Sequence, residues 1–154
     1  MNFLKSLFIF LLTVFFIGAV TAYFMGIIPT SLGMHSKIYK SSNIAMDSYD
    51  MVNYQTKRIA KRGIESYRAK VGDEHWYFES TANMKLFKAR PNKYIPQFGG
   101  YCTYTMGSGF TYSPDPNVWY FFKSKLYFFK DEETKKLALA DWKNVIEKAK
   151  LHWK

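Results

Sequence analysis

Cys102 is the one cysteine in the 154-residue chain, and it lies in Gly99-Gly100-Tyr101-Cys102 with Met106 four residues further on. The two glycines let the backbone turn tightly and bring a ligand close. A thiolate and a thioether are soft donors suited to Cu(I), and the His75 imidazole would complete a three-coordinate set if the fold brought it near. Cys102, Met106 and His75 are therefore the candidate ligands for copper or another soft transition metal. The commoner fates of these residue types are a small buried hydrophobe, a gap-filling methionine and a strand-surface histidine. A minority alternative makes Cys102 the nucleophile of a thiol enzyme, activated by a histidine. The chain is read as a binding protein, not an enzyme.

Asp50 and Glu79 would serve as oxygen ligands or a general base only inside a cleft that shifts their pKa. A turn-capping Asp and a solvated Glu are the simpler expectation. His35 falls in an irregular segment and His152 near the C-terminus, so surface roles are expected for both. Tyr49, Tyr94 and Tyr101 are expected to bury their rings while hydrogen-bonding across the domain. Trp119, Tyr120, Phe121, Phe122, Tyr127, Phe128 and Phe129 could line an apolar pocket, but in a half-buried hairpin alternate side chains simply form core.

The elements that must position these residues follow from local pattern, and they predict an α+β domain. Residues 66–71 and 75–79 flank Gly72-Asp73-Glu74 as a first hairpin. Ser80 caps a helix over 81–89 with Met84, Phe87 and Leu86 as its apolar contacts, and Pro91 limits it. A Pro- and Gly-rich passage follows, then a second hairpin of 118–122 and 126–129 around Lys123-Ser124-Lys125. From Asp131 the pattern turns helical, with Glu132 and Glu133 at the positive end of the dipole and Leu137, Trp142, Val145 and Ile146 as apolar contacts.

Ahead of this domain, Leu7 to Ile28 carries no charge, which is about the length a helix needs to cross a bilayer. Val20-Thr21-Ala22 offers a signal-peptidase site after Ala22, but the run continues through Tyr23, Phe24, Met25, Ile27 and Ile28, which favours a retained anchor. Lys5 and the α-amino group favour a cytoplasmic N-terminus, with Lys37 and Lys40 weakening the asymmetry. The expected division is 1–28 as anchor or signal peptide, 29–43 as tether, and 44–154 as one domain in the periplasm or another extracytoplasmic space.

Lys5 is the only charged side chain in the first 28 residues, so nearly all of the +10 formal charge falls on the rest. That balance favours anionic lipid or an acidic protein. The basic residues lie in 57–62, 85–93 and 143–154 without forming one aromatic-interleaved strip, and export argues against nucleic acid. A lone cysteine allows no intrachain disulfide, so stability outside the cell must come from packing. Aromatic residues, 19% of the chain, supply the ring carbon for a small core.

Ala45-Met46-Asp47-Ser48-Tyr49-Asp50-Met51-Val52-Asn53-Tyr54 is similar to the Ala-x-x-Gly-Tyr-Asp-x-Val-x-Tyr opening of the YHS-domain family, with Ser48 in place of Gly. Gly63 and Tyr67 fit the next positions of that pattern. Trp76-Tyr77-Phe78-Glu79-Ser80, then Asn83, Phe87, Pro91, Tyr94 and Pro96-Gln97-Phe98-Gly99-Gly100-Tyr101-Cys102, resemble the family's longest motif. Asp115-Pro116, Trp119, Leu126-Tyr127, Ala149 and Trp153 match in order. The resemblance covers residues 44–153 and is to small exported members behind a signal or anchor. It implies a metal-binding module of the kind found beside copper-handling proteins and some oxygenases. One departure matters. Cysteine-rich metal-binding relatives resemble Tyr-x-Phe-Cys-Ser-x-x-Cys, whereas Glu79 and Asn83 stand at the two cysteine places here. The expected function is an extracytoplasmic YHS-like module binding a soft metal such as copper. The alternatives are a membrane-tethered interaction domain that holds no metal, or the thiol enzyme.

Overall fold

A computed structural model describes residues 2–153. The chain opens with helix α1, Asn2–Phe24. Its 22-residue stretch Phe3–Phe24 is long and apolar enough to cross a membrane, and none of it is buried against the rest of the chain. At 1.5 Å per residue it is about 33 Å long, close to the bilayer core. Thr13 and Thr21 return their hydroxyls to the carbonyls of Ile9 and Ile17, so α1 exposes no unpaired hydroxyl from these two side chains. By length and composition α1 can serve as a membrane anchor or signal helix. The α-amino group and Lys154 lie outside the described residues.

Residues 29–43, expected as an irregular tether, lie along the domain. Thr30 is buried, and its amide and hydroxyl both donate to the Gly109 carbonyl at 2.9 and 3.0 Å. The Thr111 amide donates to the Ile28 carbonyl at 2.9 Å, and the Tyr39 amide to the Gly99 carbonyl at 2.8 Å. These are single-residue bridges to partners some sixty to eighty positions away, which leave no local periodicity to read. Strand β1, Lys40–Ser41, then pairs with β2, Ile44–Ala45.

Met46, Asp47 and Ser48 next form a left-handed turn with φ of 50, 49 and 68°. Such a turn costs L-residues energy, and a glycine at Ser48 would relieve part of it. Asp50 caps the short helix α2, Met51–Thr56. The first hairpin is β3, Ile64–Val71, with β4, Glu74–Phe78, turning at Gly72 in the left-handed region. The sheet order is β1-β2-β4-β3, with Ile44 of β2 parallel to His75 of β4.

Helix α3, Thr81–Ala89, is capped by the Ser80 side chain accepting from the Asn83 amide. Pro91 both limits α3 and opens the short helix α4, Pro91–Tyr94, where its missing amide is not needed. A 3-10 turn over Gln97–Gly100 leads into α5, Thr103–Gly107. The second hairpin is β5, Asp115–Phe122, with β6, Lys125–Phe129. Lys123 and Ser124 both take left-handed φ, the geometry that matches hairpin twist. Helix α6, Glu132–Ala140, starts with a capping box between Asp131 and Thr134, and α7, Trp142–His152, ends the described chain. On α6 the buried positions are Thr134 and Ala138, while Leu137, expected inward, is 45% exposed.

The second hairpin divides two cores. Trp119, Phe121, Leu126 and Phe128 pack into the first core, with Trp76, Phe78, Phe87, Tyr94 and Tyr54. Val118, Tyr120, Phe122, Tyr127 and Phe129 pack into the second, with Phe98, Tyr101, Met106 and Trp142. This is the two-residue alternation of a strand, and the cross-strand pairs Trp119 with Phe128 and Tyr120 with Tyr127 keep each pair on one side. The sequence pattern pointed to a half-buried hairpin; instead both faces are covered, which explains why aromatic residues run on without polar interruption.

Candidate functional site

Cys102, at the N-terminal boundary of α5, and Met106, within it, come together. The Met106 amide donates to the Cys102 carbonyl at 3.0 Å, and both side chains are fully buried in the second core. The thiol sulfur lies 4.0 Å from the Thr134 hydroxyl. His75 sits elsewhere. Along β4, Glu74, Trp76 and Phe78 are buried while His75 and Tyr77 are half-buried, so His75 takes the strand face opposite the first core. Among the described residues, no group of three or more His, Cys, Asp or Glu side chains could hold a metal ion.

The glycines before Cys102 receive neighbouring chain. A Cβ on Gly99 would lie 2.2 Å from the Lys37 carbonyl oxygen, and one on Gly100 would lie 2.2 Å from the Met46 sulfur. Both carry left-handed φ, so only glycine meets both demands. Thr103, next to Cys102, is buried, and its hydroxyl has no hydrogen-bond partner among the described residues. His35 rests on Trp153 with ring centroids 5.4 Å apart and on Tyr101 at 6.4 Å. It therefore packs at the edge of the second core, although its sequence context suggested a surface role.

Asp50, Asn53, Glu79 and Asn83 form a polar brace between α2 and the β4–α3 junction. Asp50 is fully buried and accepts three hydrogen bonds: from the Val52 amide at 2.9 Å, the Glu79 amide at 2.8 Å and the Asn83 side-chain amide at 2.7 Å. Asn83 also donates to the Asn53 side-chain oxygen, and Asn53 donates to Glu79. Glu79 receives Lys57 at 2.7 Å and Lys61 at 2.6 Å. Those two ammonium groups, with the Asn53 hydrogen bond, hold the Glu79 carboxyl down to about 2. The two positions that carry cysteines in the metal-binding pattern thus carry a closed hydrogen-bond circuit here. Sequence reasoning found the Asp50 cap; the rest spans residues about thirty apart and has no local signature.

A different feature has the form of a binding site. Phe122, Tyr127, Trp142 and Ile146 floor a groove of about 380 Å³, and Lys123, Lys125, Lys143 and Lys150 rim it, with Glu147 the one acid. Among the described residues none of these four lysines is in an ion pair. Trp142 is held edge-on by Tyr120, Phe122 and Tyr127, with centroids 5.3, 5.8 and 4.8 Å away. Sequence reasoning missed this groove because its walls come from the β5–β6 turn and from α7. One signal was available: Lys143, Ile146, Glu147 and Lys150 recur at helical spacing on one face. No family model matches the chain, and neither a curated protein nor a solved structure matches it.

Proposed function

We propose that the chain is a YHS-like binding module, held at a membrane by α1 and working on its extracytoplasmic side, whose lysine-rimmed groove takes an anionic partner. The observation that carries this reading is the groove itself, with four lysines that form no ion pair among the described residues, set around an aromatic floor. The family reading is supported by where the matching residues sit: Tyr54, Trp76, Phe78, Phe87, Tyr94 and Phe98 are all buried core positions. Lys5, in the first turn of α1, supports a cytoplasmic N-terminus, and of the two lysines beyond the helix Lys40 is paired with Glu74 at 3.2 Å.

Magnitudes assign the work within the groove. An exposed ion pair contributes about 0.2–1 kcal/mol, so the rim alone gives roughly 1–4 kcal/mol, near millimolar affinity at best. Tighter binding requires the aromatic floor to be covered, since apolar burial yields about 25 cal/mol per Å². The lysines select the sign of the partner, and covering the floor adds a contribution of similar size.

Soft-metal binding through Cys102, Met106 and His75 is less favoured by this geometry, because the thiol has no exposed surface and His75 lies on β4 while Cys102 and Met106 belong to the second core at α5. The reading of an anionic partner is tested by titrating the detergent-solubilised full chain with polyglutamate. Binding should weaken as salt rises and fall at least tenfold when Lys123, Lys125, Lys143 and Lys150 are all changed to Glu. The same change at exposed Lys85, Lys88, Lys136 and Lys148 should cost much less. Equal losses in the two variants would refute a groove-specific site.

A further inference from the structure

We infer that the occupant of the groove is an acidic peptide segment with one large apolar side chain between two carboxylates, seated against Trp142. This rests on the reading of the groove as an anionic-partner site and names the partner's chemistry. Three features of the groove lead to it.

The first is the spacing of charge. Lys143 and Lys150 stand seven residues apart on α7, about 10 Å along the helix axis, and two acids flanking one position of an extended chain stand about 7 Å apart at Cα, a gap their side chains make up. A single phosphate or headgroup is too compact to meet both ends, whereas a short extended segment spans them. The opposite wall, carrying Lys123 in the hairpin turn and Lys125 at the start of β6, supplies cations along the same run.

The second is shape. The apolar surface is the floor of a concavity, and the charges are its rim. A bilayer presents a broad face that would meet the lysines without reaching Trp142 or Ile146, so lipid leaves the floor uncovered. A peptide side chain can enter, and Trp142, fixed edge-on by three rings, offers it a rigid apolar wall.

The third is Glu147. It falls between Lys143 and Lys150 on the rim and repels a carboxylate at the centre of the groove. Side chains of an extended segment alternate in direction, so a central apolar residue points down while its two neighbours point towards the rim. Acid, apolar, acid is the order that satisfies every lining group.

The test uses the full chain in zwitterionic nanodiscs and fluorescent peptides with a Glu-Phe-Glu centre flanked by glycines. Comparison peptides replace Phe by Ala, or both Glu by Gln. The Glu-Phe-Glu peptide is expected to bind at least tenfold more tightly than either, and K143Q/K150Q, at exposed positions, should remove most of that advantage. W142A should act in the same direction, with circular dichroism reporting whether it still folds. Equal binding of the Phe and Ala peptides, still dependent on the lysines, would overturn this inference and leave the anionic-partner reading standing. So would displacement of the peptide by phosphatidylglycerol vesicles, or dimerisation of the chain that the same lysine changes abolish. Failure of every anionic probe to bind would overturn both.

Discussion

Replacing Asp50 with Asn exchanges one acceptor oxygen of the brace for a donor, and the geometry fixes what that costs. In the parent, one carboxylate oxygen accepts from the Val52 amide and the other accepts from the Glu79 amide and the Asn83 side chain. The Asn side chain does best by keeping its oxygen towards Glu79 and Asn83, which turns its NH2 onto the Val52 amide. A buried donor left unpaired costs about 1–3 kcal/mol. The two surviving bonds lose their charge assistance, about 1 kcal/mol each. The sum is about 3–5 kcal/mol, a large share of the roughly 5–15 kcal/mol that holds a domain folded. Urea unfolding of the full chain in detergent, followed by tryptophan fluorescence, measures it. Asp73→Asn, at an exposed turn position, is the control and should change stability by less than about 0.5 kcal/mol. A D50N midpoint that implies less than about 1 kcal/mol, with unchanged slope, would refute the claim that the carboxylate carries the brace.

Glu79 has a folded-state pKa lowered from 4.5 to about 2, so its contribution is complete above 4.5 and is lost as pH falls from 4.5 to 2. E79Q should therefore unfold more easily than the parent at pH 6, and the gap should close by pH 2; a gap independent of pH would contradict the ion-pair account. Thr103→Val removes a buried hydroxyl that has no partner among the described residues and should raise stability by about 1 kcal/mol, read from the urea midpoint. A loss of stability would mean that the hydroxyl is satisfied by something not yet recognised. Elemental analysis of the chain purified from its own membrane should find the same metal content in Cys102→Ala as in the parent, and a metal lost selectively in the variant would restore the soft-donor reading.

What could be read from sequence was local. The Ser80 and Asp131 caps, the Gly72 turn and the Lys123-Ser124 turn are written within three or four residues, and each occurs where the pattern put it. Leu137 shows the limit of helical periodicity: one residue is 100° of rotation, enough to bury Ala138 and expose Leu137. Asp50 was recognisable as a cap, but its second oxygen reaches Glu79 and Asn83, and nothing in the chain between them announces that. Residues 29–43 looked unstructured because their partners are Gly99, Gly109 and the segment around Thr111. The groove combined both difficulties. Its α7 face had a helical spacing, while the wall opposite depended on where the β5–β6 turn docks.

Membrane topology is the most direct test of a tethered, outward-facing domain, and the buried Cys102 makes it clean, since the parent thiol gives little background labelling. A cysteine placed at exposed Lys136 should react with a membrane-impermeant maleimide on intact cells, on a protein whose mass still includes α1. Labelling only after the cells are opened would put the domain and its groove on the cytoplasmic face and contradict the account.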